Sequence, residues 1–267
     1  MTAKLIAICL TCLFVLSSRA APNTQLTDDE LGQIRFDQKL GAQLPASLAF
    51  TDETGKEIRL HDCFGGKPSV LVLGYYGCPM LCTLVLNGAA DCFRQMAWRA
   101  GQEFNVIFVS IDPTETPALA AQKKATYQQR YGNECAGNWH LLTGTQPSIS
   151  RLADAVGFHY AYDRFTKQFA HPSGFVVLTP DGRAARYFFG VNFLAKDVDT
   201  ALRAAAANQT GAEESSFTLL CFHYAPVHGK YGKWILLAVR ASGLLVVAAL
   251  TWLIIGQPRR PIPRKAP

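Results

Sequence analysis

Two nearly continuous apolar runs lie in the middle of the chain: SVLVLGYY over Ser69–Tyr76 and FNVIFVSI over Phe104–Ile111. Runs of this kind are typical of strands that are covered on both faces, as in α/β proteins. A third apolar stretch, FVVLTPDG over Phe175–Gly182, leads into RAARYFFG and predicts a hairpin around Asp181 and Gly182.

Segments with helical spacing alternate with these strands. They cover Met80–Arg99, Pro117–Tyr131, Ser148–Val156 and Ala195–Ala207. Strands and helices that alternate over short links predict an α/β fold with a central mixed sheet flanked by helices. The predicted domain covers residues 35–208 and follows an N-terminal extension over residues 21–34. About 170 residues are enough for one compact domain with a real core.

Both ends of the chain are apolar. Lys4, a short apolar run and Ser18-Arg19-Ala20 form the pattern of a secretory signal peptide over residues 1–20. The segment Trp234–Ile255 is long enough to cross a bilayer as one transmembrane helix, and a basic tail over residues 256–267 follows it. The positive-inside rule places that tail in the cytoplasm. We therefore expect an exported domain, joined to the membrane by a linker and juxtamembrane segment over residues 209–233.

The net charge of +6 is unevenly distributed along the chain. Residues 21–216 carry 17 basic and 20 acidic side chains, whereas seven basic and no acidic residues lie from Lys230 onward. The exported domain is therefore mildly acidic and has no basic stripe for nucleic acid. Export also implies an oxidising compartment, in which thiols pair unless a reductant or a metal intervenes.

The stretch YYGCPMLCTLVL places Cys78 and Cys82 four residues apart at the start of a predicted helix. Side chains at this spacing have Cβ atoms about 5–6 Å apart, so the two sulfurs can converge. The helix N-terminus also favours an anionic sulfur at Cys78. The spacing by itself fits a redox couple, a structural disulfide or a pair of metal ligands.

The choice among these depends on a third ligand. Cu(I) prefers thiolate and imidazole at low coordination number, whereas structural zinc needs four ligands. The mature chain that would remain after residue 20 has no C-x-x-C pair to complete a zinc site. His171 lies just before a predicted strand, in a loop able to face the first long helix. The residues alone leave open that His171 is a surface histidine bonded to backbone.

Three motifs, YYGCPMLC, VSIDPTETP and FAHPSGFVVLTPDGR, occur in the order and spacing of the Sco/SenC family, which this sequence resembles over Arg35–Ala207. Members are thioredoxin-like, membrane-anchored copper proteins that help to assemble the dinuclear copper site of cytochrome c oxidase. The resemblance implies Cys78, Cys82 and His171 as copper ligands and Asp112 as a residue near the metal. The C-terminal anchor departs from the usual N-terminal one and is similar to a bacterial subgroup.

These observations predict a copper metallochaperone of the bacterial inner membrane with its globular domain in the periplasm. It would carry Cu(I), with Cu(II) also considered, and deliver it to a copper subunit of a respiratory oxidase or prepare the thiols of that subunit. The alternative is a thiol-disulfide oxidoreductase that acts through Cys78 and Cys82 on exported proteins without carrying metal. A copper or redox sensor is a third hypothesis.

The remaining candidates have ordinary structural interpretations. Asp112 fits a turn before Pro113 as well as a position close to the metal. Cys63 is expected to be buried, and Cys92 to pack in the core or to form a disulfide with Cys135. Cys221 and His223 form a C-x-H pair that is either an auxiliary copper site or part of an aromatic interfacial segment.

Overall fold

The computed structural model describes residues 26–78, 81–132 and 138–211, together with 237–238, 241–243 and 245–246. Its centre is a five-stranded sheet. In spatial order the strands are β11 (Ala184–Phe189), β10 (Gly174–Leu178), β4 (Ser69–Gly74), β5 (Asn105–Ser110) and β6 (Trp139–Leu142). β4, β5 and β6 run parallel, whereas β10 is antiparallel to both of its neighbours. The mixed sheet predicted from the sequence is confirmed.

Helices pack around this sheet. They are α1 (Asp28–Gln33), α2 (Leu81–Gln95), α3 (Pro117–Tyr131), α4 (Gln146–Val156) and α5 (Ala195–Ala206). The predicted bounds of α3 are confirmed, because Thr116 caps the helix by accepting the Leu119 N–H and a proline occupies the first turn. α2 ends earlier than predicted, since the Met96 N–H bonds the Phe93 carbonyl and the chain turns there.

Short strand pairs complete the domain. β1 (Arg35–Phe36) pairs with β7 (Phe158–His159), β2 (Ala49–Thr51) with β3 (Glu57–Arg59), and β8 (Ala161–Asp163) with β9 (Gln168–Ala170). A 3-10 helix over Leu60–Cys63 follows β3. The β8–β9 hairpin ends immediately before His171, so it belongs to the surroundings of the predicted site.

Aromatic side chains fix α2 onto the sheet. The ring of Phe93 lies 5.2 Å from Phe104, 6.2 Å from Trp139 and 6.5 Å from Phe175. These partners stand just before β5, in β6 and in β10, so a single α2 side chain contacts three strands. Every residue of β4, β5 and β10 is buried, which explains their continuous apolar sequences.

The pairing of β10 with β4 brings two distant loops together. Val176 is opposite Leu71 and Leu178 is opposite Ser69. Because the two strands are antiparallel, the beginning of β10 lies beside the end of β4. The loop that precedes β10 and the loop that follows β4 therefore meet at one edge of the sheet.

The structure does not describe the whole of either predicted membrane-targeting segment. Among the residues that the structure describes, none belongs to a helix with the length and apolar character that a bilayer crossing needs. Most of the predicted span Trp234–Ile255 and all of the predicted signal peptide, residues 1–20, lie outside the described residues.

Gly88 generates a stability prediction. A Cβ at this position of α2 would overlap the carbonyl oxygen of Val191. Replacing glycine by alanine inside a helix ordinarily stabilises by roughly 0.5–1 kcal/mol. We expect Gly88→Ala instead to lower the free energy of unfolding by about 1–3 kcal/mol in urea titrations, because backbone must move.

Gly32 provides the matched control. It also lies in a helix, α1, and a Cβ there would meet nothing within 4 Å. Gly32→Ala should leave the free energy of unfolding unchanged or slightly raised. A Gly88→Ala protein as stable as Gly32→Ala would contradict the close approach of α2 to the loop after β11.

Candidate metal centre

Cys78 lies in the loop between β4 and α2. Its side chain is half-buried and packs against the core, and its N–H donates to the Tyr75 carbonyl at 3.3 Å. Cys82 lies in the first turn of α2, but its side chain and residues 79–80 lie outside the described part of the chain. The convergence of the two sulfurs therefore stays a prediction.

His171 lies in the loop between β9 and β10 and is 8% exposed. Its Nδ1 is 2.8 Å from the Pro172 carbonyl oxygen. Because a carbonyl can only accept, Nδ1 must carry the proton, and in the neutral ring Nε2 then bears the lone pair. Metal-binding histidines commonly have this arrangement, in which one ring nitrogen donates to the protein and the other binds the ion.

Ring contacts place His171 beside the loop between β4 and α2, which carries Cys78 and is called the cysteine loop. Its imidazole lies 5.8 Å from the Tyr75 ring and 5.9 Å from the Phe158 ring, measured between centroids. Tyr75 precedes Cys78 by three residues and accepts its backbone hydrogen bond. The structure thus brings the His171 loop to the loop that carries Cys78, as the register of β10 on β4 requires.

The donor types at this edge suit a soft cation. A thiol on one loop and an imidazole with its Nε2 lone pair on the other are ligands that Cu(I) prefers over carboxylate oxygens. Among the side chains that the structure describes, no three of the histidine, cysteine or acidic type lie close enough to hold a metal. The described side chains do not include Cys82.

Glu115, which the sequence analysis missed, holds the cysteine loop. Its Oε2 accepts the Tyr76 N–H at 2.8 Å and its Oε1 accepts the Gly77 N–H at 2.6 Å. The Ser110 hydroxyl donates to Oε2 at 2.6 Å. One carboxylate therefore fixes two successive backbone amides immediately before Cys78.

Burial of this carboxylate has an electrostatic cost. Desolvation raises the pKa of Glu115, although the hydrogen bonds from Ser110, Tyr76 and Gly77 each act in the opposite direction. Glu115 stands in the quoted motif VSIDPTETP, but nothing in its spacing pairs it with Tyr76 or Gly77. Only contact across the end of the sheet reveals its role.

Lys123 of α3 contacts the other side of the loop. Its Nζ donates to the Thr83 hydroxyl at 3.2 Å and to the Tyr76 carbonyl at 3.4 Å. Thr83 directly follows Cys82 in α2. Lys123 therefore links α3 to both the cysteine loop and the first turn of α2.

Asp112 is occupied by a local turn. Its Oδ1 accepts the N–H of Thr114 at 2.8 Å and the Thr114 hydroxyl at 2.6 Å. These contacts fit the turn interpretation, and a place for Asp112 close to the metal stays a prediction. Cys221 and His223, the predicted auxiliary site, lie outside the described residues.

Cys63 and Cys92 are buried free thiols. The Cys92 sulfur lies 4.0 Å from the sulfur of Met96, in agreement with the expected core packing. A free thiol at Cys92 does not agree with the disulfide considered between Cys92 and Cys135. Cys135 itself lies outside the described residues. Burial raises the pKa of Cys63 and that of Cys92 to about 12, so both stay protonated at neutral pH.

This difference in burial predicts selective thiol chemistry. Iodoacetamide applied to the reduced native protein at about pH 8 should modify Cys78 and leave Cys63 and Cys92 largely unmodified, because the thiolate is the nucleophile. Mass spectrometry of the digested protein measures each site. Protein unfolded in urea is the control, in which all three should react. Equal labelling of Cys92 and Cys78 in the native state would show that the burial is wrong.

Glu115 generates a pH prediction. Its pKa in the folded state is raised above the ordinary 4.5, so the folded protein binds this proton more tightly than the unfolded chain does. The stabilising effect of protonation is complete below the unfolded pKa and is lost as pH rises through the folded pKa. The stability of the wild type relative to Glu115→Gln should therefore fall as pH rises from about 4 to 7.

Urea unfolding across this pH range measures the difference. Glu57→Gln, at an exposed position of β3, is the control for removing one carboxylate from the surface. A wild-type advantage that grows with pH would mean that the hydrogen bonds to Tyr76 and Gly77 outweigh desolvation.

Comparison with known proteins bears on the same region. The SCO1/SenC family model matches residues 37–206. A Stutzerimonas stutzeri protein named for copper binding is 25% identical over 121 residues, which cover 44% of this chain and 55% of the relative. The chain thus spans about half the length of that curated relative.

Solved structures agree with the fold. A crystal structure of an Aquifex aeolicus protein named for electron transfer has a TM-score of 0.56 at 26% identity, covering 67% of this chain and 99% of that one. A SCO1/SenC family lipoprotein from Bacillus anthracis has a TM-score of 0.51 at 19% identity over 63% and 98% of the two chains, and shows the fold alone. The expected thioredoxin-like α/β fold is confirmed, and the chain belongs to the SCO1/SenC family.

Proposed function

We propose that this protein is a membrane-tethered copper metallochaperone that carries Cu(I) on Cys78, Cys82 and His171. The observation that carries the proposal is the position of His171, buried against the Tyr75 ring of the cysteine loop with its Nδ1 hydrogen bonded to Pro172. Membership of the SCO1/SenC family and a relative named for copper binding support it.

The chemistry of the site suits a transferable ion rather than a structural one. Two thiolates and one imidazole satisfy Cu(I), while leaving it open to attack by a ligand of another protein. Lys123 and Glu115 both hydrogen bond to the backbone of the loop that carries Cys78 and so fix its position. Cu(II) has a weaker preference for such soft ligands, so the reduced ion is the proposed cargo.

The recipient that we propose is the apo form of a copper subunit of a respiratory oxidase. The signal peptide over residues 1–20 would export the domain to the periplasm of a bacterium, and Trp234–Ile255 would anchor it in the inner membrane with the basic tail in the cytoplasm. A tether of this kind keeps the domain near membrane-embedded partners, which raises the effective concentration of donor and acceptor.

The alternative function is thiol-disulfide exchange. In that reaction Cys78 and Cys82 would become a disulfide while a disulfide of the target is reduced to two thiols, so two electrons pass to the target. The two functions differ in their need for His171.

Titration of the purified, reduced full-length protein with Cu(I) against a competing chelator tests the proposal. We expect about one copper ion per chain, as a single three-ligand site implies. His171→Ala should weaken copper binding by about 100-fold or more, and Cys78→Ser should abolish it, since each removes a soft ligand.

His61→Ala is the matched control, because His61 is exposed and pairs with Asp62 on the surface. It should bind copper like the wild type. A protein that binds no copper yet reduces disulfides as well after His171→Ala as before would instead be an oxidoreductase.

A further inference from the structure

Two exposed aromatic side chains lie on the hairpin that leads to His171. Within the described part of residues 26–211, four large hydrophobic side chains are exposed: Leu84, Tyr162, Phe165 and Leu194, at 48%, 47%, 64% and 72%. Single exposed hydrophobic residues are ordinary. Two of these four, Tyr162 and Phe165, however, lie together in the β8–β9 hairpin, which ends immediately before His171.

The hairpin has a defined conformation that presents these rings to solvent. Asp163 is buried and its Oδ1 accepts the N–H of Phe165 at 2.8 Å and that of Thr166 at 3.4 Å. Lys167 adopts a positive φ of 55°, which closes the turn. The exposure of Phe165 is therefore imposed by the turn rather than by an unstructured loop.

A chain of aromatic contacts links the hairpin to His171. The Tyr162 ring lies 4.9 Å from Phe169, Phe169 lies 5.5 Å from Tyr75, and Tyr75 lies 5.8 Å from the imidazole of His171. A partner that covers Tyr162 is therefore separated from the imidazole by only two intervening rings, those of Phe169 and Tyr75.

The charges of the hairpin indicate the character of its partner. Its exposed residues include Arg164 and Lys167, whereas its acidic residue, Asp163, is turned into the protein. The tip is thus basic and aromatic on a domain that is acidic as a whole. Its complement is an apolar surface edged by carboxylates.

We propose that Tyr162, Arg164, Phe165 and Lys167 form a docking surface for the protein that receives copper, which binds through an apolar patch with an acidic rim. This inference rests on the proposed function. An anionic bilayer has similar charge chemistry, but lipid seated on the hairpin would block a protein acceptor from the adjacent imidazole. A protein partner fits both the charge and the position.

The transfer step that docking enables is a ligand exchange. A thiolate or imidazole of the recipient forms a bond to Cu(I) as a bond from Cu(I) to His171 or to a cysteine sulfur breaks. The copper stays monovalent, so no electron donor or acceptor is needed. The released thiolate regains a proton from solvent.

The test compares two acceptors of copper from the loaded full-length protein. One is the apo soluble domain of the oxidase copper subunit from the same organism, and the other is the Cu(I) chelator bathocuproine disulfonate. Tyr162→Ser combined with Phe165→Ser should slow transfer to the domain by about ten-fold or more, because buried aromatic residues dominate interfaces. Copper stoichiometry and loss to the chelator should be unchanged.

Leu194→Ser is the matched control, since Leu194 is the most exposed of the four and lies at the start of α5. It should transfer copper to the domain at the wild-type rate. Arg164→Glu with Lys167→Glu should also slow transfer, and added salt should slow the wild type, because opposite charges steer association.

Each other outcome would overturn the docking surface. Transfer from the Tyr162/Phe165 variant at the wild-type rate would remove it directly. Loss of binding to phosphatidylglycerol-containing vesicles without slower transfer would assign the hairpin to the bilayer. If the wild type binds copper but does not pass it to the domain, the recipient is wrong. A wild type that binds no copper fails at the stoichiometry measurement, which separates failure of the proposed function from failure of docking.

Discussion

The register of β10 on β4 is the constraint on which the candidate site depends. It places the loop before β10 beside the loop after β4, and so sets His171 against Tyr75. A slip of two residues would keep the same side chains on each face but would displace His171 by about 6–7 Å. On its other side β10 is fixed against β11, because the φ of 145° at Gly174 and the closeness of the Phe188 carbonyl leave no room for a Cβ at the first residue of β10.

The cysteine loop is held between an anion and a cation. Glu115 accepts its amides from one side, and Lys123 donates to its Tyr76 carbonyl and to Thr83 from the other. Burial makes the carboxylate less stable in its charged form, but a loop with two amides and no acceptor would be less stable still. A loop fixed in this way presents Cys78 in one position, and a three-ligand site for a soft ion requires such a position.

The sequence predicts those parts of the fold that depend on the residue types within one segment. Strands buried on both faces are apolar except at their first or last residues, and α3 is bounded by a threonine cap and a proline. The pairs β1–β7 and β8–β9 have two or three residues per strand, which is too short for any period to appear. The end of α2 was missed because Arg99 continues the helical pattern although the chain turns at Met96.

Within the candidate site, the sequence can point only to residues whose type and motif already indicate their chemistry. Cysteines at helical spacing and a histidine in a recognisable motif can be found in a sequence. Glu115 cannot, because its function comes from amides of a loop 38 and 39 residues away. Asp112 was predicted from the family resemblance, whereas the carboxylate that reaches the loop belongs to Glu115, three residues further along the same motif.

Differences in burial also favour one side of the site for the approach of an incoming ligand. His171 is buried between Tyr75 and Phe158, whereas Cys78 is only half-buried. An incoming ligand therefore reaches a bound ion more easily from the sulfur side than past the imidazole. In the proposed exchange the recipient would first replace a thiolate, while His171 keeps the ion in place until a second bond has formed. Phe165 lies on the hairpin that ends immediately before His171, so a partner that covers the hairpin would be seated beside the segment that carries the imidazole.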